Sequence, residues 1–190
     1  MKKILVLDNY DSFTYNLIHY VKELTKDPVE VFRNDKISID DVAKYDKILL
    51  SPGPGIPMEA GIMPELVKTY GSTKSIMGVC LGQQCIAEVY GGTIINLDNV
   101  YHGVESEIIV TDATEPLFKG MPSKFKAGRY HSWNVVKENL PACLKVTAVD
   151  NKGLIMAISH VSDDVRGVQF HPESVLTPEG KLILKNWLAF

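Results

Sequence analysis

The sequence predicts an α/β fold with a mostly parallel central sheet, helices on both faces and a small antiparallel extension. Three observations carry this expectation. Apolar strand-like runs alternate with helical periodicity from Lys2 to Tyr90. The early runs end in Asp, Gly, Pro or Cys. After Gly91-Gly92 the runs become short, with few helical candidates between them. Strands separated by helical segments read as right-handed crossover units of a parallel sheet, and closely spaced short strands as antiparallel or mixed pairing.

In order along the chain, KKILVLD is a buried first strand. DSFTYNLIHYVKEL places Phe13, Leu17, Val21 and Leu24 three or four residues apart, the stripe of a helix lying on a sheet. VEVF is a second strand. SIDDVAKY is a short helix opened by a capping box of Ser38 and Asp41, and KILLSPG is a third strand stopped by Pro and Gly. A helix follows from about Ala60 to Tyr70, then the strand SIMGV and a helix from about Gly82 to Tyr90. GTIINL, ESEIIV, KFKAG, LKVTAVD, GLIMAIS and RGVQF are the short strands of the extension, and KLILKNWLAF closes the chain as an amphipathic helix.

A length of 190 residues with 45% apolar content fits one domain over residues 1–190 with one substantial core. A net charge of -3 with scattered Lys and Arg offers no basic stripe, so no nucleic-acid partner is expected. The run Ile4 to Leu7 stops at Asp8, too short for a signal-peptide core, and no run approaches a bilayer span, so the expected location is cytoplasmic, with no membrane partner. The three cysteines have no paired C-x-x-C spacing, which leaves reduced thiols rather than disulfides or a zinc site.

GVCLG at 78–82 has the form G-x-C-x-G, the thiol counterpart of a nucleophile elbow, between a strand and a helix. The helix start supplies unpaired N–H groups that favour a thiolate at Cys80 and make the Leu81 N–H an oxyanion donor; a small buried cysteine would give the same five letters. Cys85 and Cys143 read as packing. A thiolate attacking a carbonyl needs a base that later acts as acid, and the base needs an orienter. FHPE offers both, because residues two apart in an extended segment point the same way, so Glu173 can hold the His171 ring. His19 and His160 read as structural, while His102 and His131 remain open as rim residues. SPGPG at 51–55 lacks the Lys and Ser or Thr of a phosphate loop, but its backbone can present N–H groups, making Gly53 a second oxyanion donor.

SPGPG, GVCLGQQ, GRYHSW at 128–133 and GVQFHPES at 167–174, in that order, resemble the class I glutamine amidotransferase family along essentially the whole chain. Within it, LDNYDSFTYNL looks like the glutaminase subunits of chorismate-using synthases, and VLTPEG is more similar to the anthranilate than to the aminodeoxychorismate branch. The resemblance implies Cys80 as nucleophile, His171 as acid and base, and Glu173 as orienter. It further implies Gly53 and Leu81 at the oxyanion, with Gly55, Gln84, Ser132 and Trp133 positioning glutamine. Asn9, Asp11, Ser12, His102, Gly103 and Ser106 resemble family residues near a partner interface. The implied partner is a large chorismate-binding subunit that carries magnesium, this chain itself binding no cofactor or metal. Relatives commonly have HGKTS where this chain reads HGVES at 102–106, so no lysine-mediated contact is expected there.

Overall fold

The computed structural model describes all residues, 1–190. Its strands are β1 (Ile4–Asp8), β2 (Val29–Arg33), β3 (Lys47–Leu50), β4 (Ser75–Val79), β5 (Ile94–Asn96), β6 (Val104–Val110), β7 (Lys124–Arg129), β8 (Trp133–Val135), β9 (Leu144–Asp150), β10 (Ile155–His160) and β11 (Val165–Val168). The helices are α1 (Thr14–Leu24), α2 (Met63–Tyr70), α3 (Leu81–Val89) and α4 (Gly180–Ala189).

One sheet of nine strands runs in the order β2-β1-β3-β4-β11-β10-β9-β6-β7. The first five strands pair in parallel and the last four continue antiparallel, so the extension grows directly out of the parallel core. A separate ribbon pairs β5 with β8. β8 has no counterpart among the strands expected from the sequence. Its three residues follow immediately on a polar turn and are too few to show a period.

Alternation along the buried strands divides the core in two. Ile4, Val6, Leu49 and Met77 face α1 and α4 through Leu17, Val21, Leu184 and Trp187. Leu5, Leu7, Ile48 and Leu50 face α2 and α3 through Met63, Leu66, Cys85 and Ile86. Both sheet faces are therefore covered, which explains why the parallel strands read as continuous apolar runs.

Several boundaries differ from the sequence expectation. The segment after Ser38 is a 3-10 turn over Asp40–Lys44, although the Ser38 hydroxyl does accept the Asp41 N–H at 3.2 Å. The second long helix begins at Met63, because Pro57–Glu59 form a separate 3-10 turn. Phe13, expected on the buried stripe of the first helix, precedes α1 and turns toward the sheet's carboxyl-end rim instead.

Candidate active site

β4 and β11 are parallel neighbours with Val79 opposite Val168, so the residues that follow them leave the sheet side by side. The Cys80 N–H donates to the Val168 carbonyl at 2.8 Å, and the Cys80 carbonyl accepts the Gln84 N–H at 3.1 Å, opening α3. Cys80 itself takes φ +53°, ψ −101°, a conformation that costs a non-glycine residue about 1–3 kcal/mol. The flanking glycines serve a different purpose. A Cβ on Gly82 would lie 2.7 Å from the Leu50 carbonyl oxygen, and one on Gly78 would overlap the Gly82 backbone. The elbow thus needs glycine for close approach, while the cysteine holds the strained torsion.

After β11 the chain crosses to β7, where the His171 N–H donates to the Gly128 carbonyl at 2.9 Å. The His171 Nδ1 lies 2.7 Å from Glu173 Oε1, and both side chains are buried. With the carboxylate as acceptor, Nδ1 carries the proton and Nε2 is left for another group. Burial alone would depress the imidazole pKa, yet the Glu173 carboxylate and the Cys80 thiol together raise it well above the ordinary value. Tyr130 and Phe13 wall the ring, with centroids 4.9 and 5.6 Å away.

Gly53 is wedged between Asn9 and Leu81, since a Cβ there would meet Asn9 Cβ at 2.6 Å and Leu81 Cδ2 at 2.7 Å. The SPGPG turn and the start of α3 are therefore in contact. Gly55 holds φ +74° beside the Glu59 carboxylate. Gln84 Nε2 donates to the Trp133 carbonyl at 3.0 Å, which joins α3 to the segment carrying Ser132 and Trp133, and the Ser132 carbonyl accepts the Leu97 N–H at 2.7 Å. Cys85 lies deeper in α3, where burial pushes its thiol pKa up and leaves it inert.

The residues singled out for a partner surface are arranged unevenly. Asn9 is buried and engaged inward: its Nδ2 donates to the Ser51 carbonyl at 2.8 Å and its Oδ1 accepts from Asn34 at 3.0 Å. Asp11 accepts the Phe13 N–H at 2.7 Å, and its pKa is raised by burial against the opposing effect of that bond. Ser12 is exposed. His102 meets the Tyr130 ring edge-on at 6.0 Å, Gly103 turns with φ +67°, and Ser106 accepts a long 3.5 Å bond from Arg129. Tyr130 touches Phe13, His102 and His171, so one ring connects both segments to the imidazole.

Four residues here escaped the sequence reading: Gln169, Arg129, Asp150 and Tyr130. His131, left open as a rim residue, is buried, and burial together with the Arg129 charge pushes its pKa down to about 3. The Arg129–Asp150 ion pair, at 2.7 Å, is fully enclosed. Gln169 lies two residues before His171, the spacing that also separates His171 from Glu173, although residues 169–170 bend and 172–173 turn rather than run extended.

No group of three or more His, Cys, Asp or Glu side chains is placed to hold a metal ion. No helix is long and apolar enough to cross a membrane. What the site assembles is a thiol at a helix start, an imidazole held by a carboxylate, and an adjoining turn whose Gly53 and Gly55 carry the backbone N–H groups that its two prolines lack, a set suited to acyl transfer through a thioester.

Residues 5–189 match the family described as glutamine amidotransferase class-I. The chain is 46% identical over 187 residues to the aminodeoxychorismate/anthranilate synthase component 2 of Bacillus subtilis, covering 97% of this chain and 95% of that protein. It is 44% identical over 191 residues to the bifunctional protein TrpGD of Thermotoga maritima, covering 99% of this chain but only 32% of that longer protein. The crystal structure of a Thermoplasma acidophilum protein described as belonging to a GMP synthase superposes with a TM-score of 0.88 at 25% identity, covering 100% of this chain and 93% of the other.

Proposed function

The chain belongs to the glutamine amidotransferase class-I family, related to the component 2 proteins of anthranilate and aminodeoxychorismate synthases, and from that premise we propose that it is the glutaminase subunit of an anthranilate synthase. Residues 1–190 act in this reading as one catalytic unit. The observation that carries it is the buried His171–Glu173 contact at 2.7 Å beside the Cys80 thiol at the start of α3.

In the proposed reaction Cys80 Sγ attacks the side-chain amide carbon of glutamine. The developing oxyanion is met by the N–H groups of Gly53 and Leu81, while Gly55, Gln84, Ser132 and Trp133 position the amino-acid end. His171 gives its proton to the departing nitrogen, so ammonia leaves and a glutamyl thioester remains. The imidazole, now neutral at Nε2, takes a proton from water as that water attacks the thioester, and glutamate leaves with Cys80 restored. Glu173 keeps the ring in the tautomer that both steps require. A raised imidazole pKa suits this cycle, because His171 must begin protonated opposite a thiolate.

Ammonia is useful only while unprotonated, which calls for delivery to a partner without release to bulk water. The proposed partner is a chorismate-binding large subunit that holds magnesium and converts chorismate to anthranilate and pyruvate. Asp11 and Ser12 adjoin Phe13, and His102 and Gly103 lie against Tyr130, a suitable place for such a subunit to sense the imidazole, with Ser106 further along β6 beside Arg129. The name of the Bacillus relative joins both branches, which favours a second reading in which the same chain also serves aminodeoxychorismate synthesis.

The test is anthranilate formation from chorismate, magnesium and glutamine by this chain with an anthranilate synthase large subunit. Wild type is expected to support product from glutamine, and Cys80→Ala only from added ammonia. No glutamine-dependent product from a large subunit that works with ammonia rejects the anthranilate branch. The large subunit of aminodeoxychorismate synthase then becomes the partner to assay.

A further inference from the structure

Gln169 Nε2 lies 3.4 Å from Cys80 Sγ, and the Gln169 side chain is completely buried. Its amide orientation follows from a run of hydrogen bonds whose polarity admits one solution. The Arg129 guanidinium can only donate, so its Nε–H, 3.1 Å from His131 Nε2, makes that nitrogen the acceptor. His131 Nδ1 then carries the proton and donates to the Trp133 carbonyl at 2.8 Å. The same carbonyl can only accept, so it is the NH2 group of Gln84 that faces it at 3.0 Å. The second hydrogen of that NH2 reaches Gln169 Oε1 at 3.1 Å, which leaves the Gln169 NH2 directed at the sulfur. At the far end, Asp150 anchors Arg129 at 2.7 Å.

We propose that Gln169 is a further catalytic residue of this site, donating through its amide to Cys80 Sγ and so favouring the thiolate over the thiol in the resting enzyme. The proposal rests on the reading of Cys80 as nucleophile. A thiolate accepts a hydrogen bond far better than a neutral thiol, so a fixed neutral donor beside the sulfur selects the charged form without adding a cation. His171 supplies the cationic partner from two residues further along. When the sulfur becomes a thioester it loses its charge and the bond to Gln169 weakens; the bond is regained as water displaces the sulfur and the thiolate re-forms.

The test is alkylation of Cys80 by iodoacetamide, followed by peptide mass spectrometry from about pH 5 to pH 9. It compares wild type, Gln169→Met and the isosteric Gln169→Glu in the intact chain, with Cys80→Ala as background. In Gln169→Met the acid limb is expected to fall about tenfold below wild type, the scale of one hydrogen bond to a charged acceptor, and to converge with it at alkaline pH. Gln169→Glu is expected to fall further, because a carboxylate repels the thiolate. Should Gln169→Met fail to fold, Gln169→Leu takes its place, because only a neutral side chain without a donor separates the lost hydrogen bond from added charge. Alkylation requires neither glutamine nor a partner, so loss of the amidotransferase reading leaves these profiles as they are. An acid limb superimposable on wild type in a folded variant overturns the role of Gln169.

Discussion

The backbone of Gly82 passes directly over Gly78, so that a methyl group at residue 78 would overlap the Gly82 carbonyl carbon. The first turn of α3 thereby folds back onto the end of β4 and sets Cys80 at its apex. Gly78→Ala is expected to force the two segments apart. Overpacking of this kind costs about 1–3 kcal/mol, visible as a lower urea midpoint at unchanged slope. Glutamine-dependent turnover should fall more steeply than stability, because the thiol moves relative to His171. An undiminished midpoint would mean that the elbow has slack the contacts do not show.

Cys80 stores strain in its positive φ, and glycine relieves it. Cys80→Gly and Cys80→Ala both remove the thiol, yet the glycine variant should be the more stable by about 1 kcal/mol: the relieved torsion, reduced by the extra backbone entropy that glycine loses on folding. Paired urea titrations of the two variants decide this. Equal midpoints would place the strain elsewhere.

Much of this arrangement was legible in the sequence. Apolar runs ending at Asp8, Ser51 and Cys80 mark β1, β3 and β4 of the parallel half, whereas RGVQF, expected in the antiparallel extension, is β11 and pairs in parallel with β4; the i, i+2 spacing points to His171 with Glu173. The same spacing reaches Gln169, which passed as one polar letter in an expected strand. The Arg129–Asp150 pair and the tautomer of His131 were illegible for a different reason. They depend on β6, β7 and β9 meeting in one register, which is long-range information that no local period carries. Phe13 satisfied the helical spacing, and only the actual start of α1 at Thr14 frees it to pack on His171.

Glu173→Gln keeps an acceptor oxygen for His171 Nδ1 but removes the negative charge. The imidazole pKa should then drop below its wild-type value, read by nitrogen-15 NMR of the ring. Glutamine turnover should fall by about 100-fold, within the range for general acid–base groups. Linkage gives the sign for stability. His171 is raised in the folded protein, so its contribution is complete below the unfolded value of about 6.5 and is lost as pH rises through the folded value. In Glu173→Gln that alkaline loss should flatten. An unchanged ring titration would show that the carboxylate does not set the imidazole's charge.

His131 works in the opposite direction and in a different pH window. Its pKa is pushed down to about 3, so the folded protein keeps it neutral where the unfolded chain, at about 6.5, takes up a proton. Stability is complete above about pH 6.5 and falls as pH drops toward 3, by at most about 1.4 kcal/mol per unit for one proton. His131→Phe preserves the stacking on Tyr101 but leaves the Arg129 Nε–H without its acceptor, at a cost of about 1–3 kcal/mol near neutral pH. Because phenylalanine does not titrate, the variant should lose less stability than wild type on acidification, and the two urea midpoints should approach each other between about pH 6.5 and pH 5, where few ordinary carboxylates titrate. A constant gap between them across that range would mean that His131 is protonated in the folded protein. The Nε2 acceptor assigned to the Arg129 Nε–H would then be wrong, while Gln84 and Gln169 would keep their orientation, which the Trp133 carbonyl sets by itself.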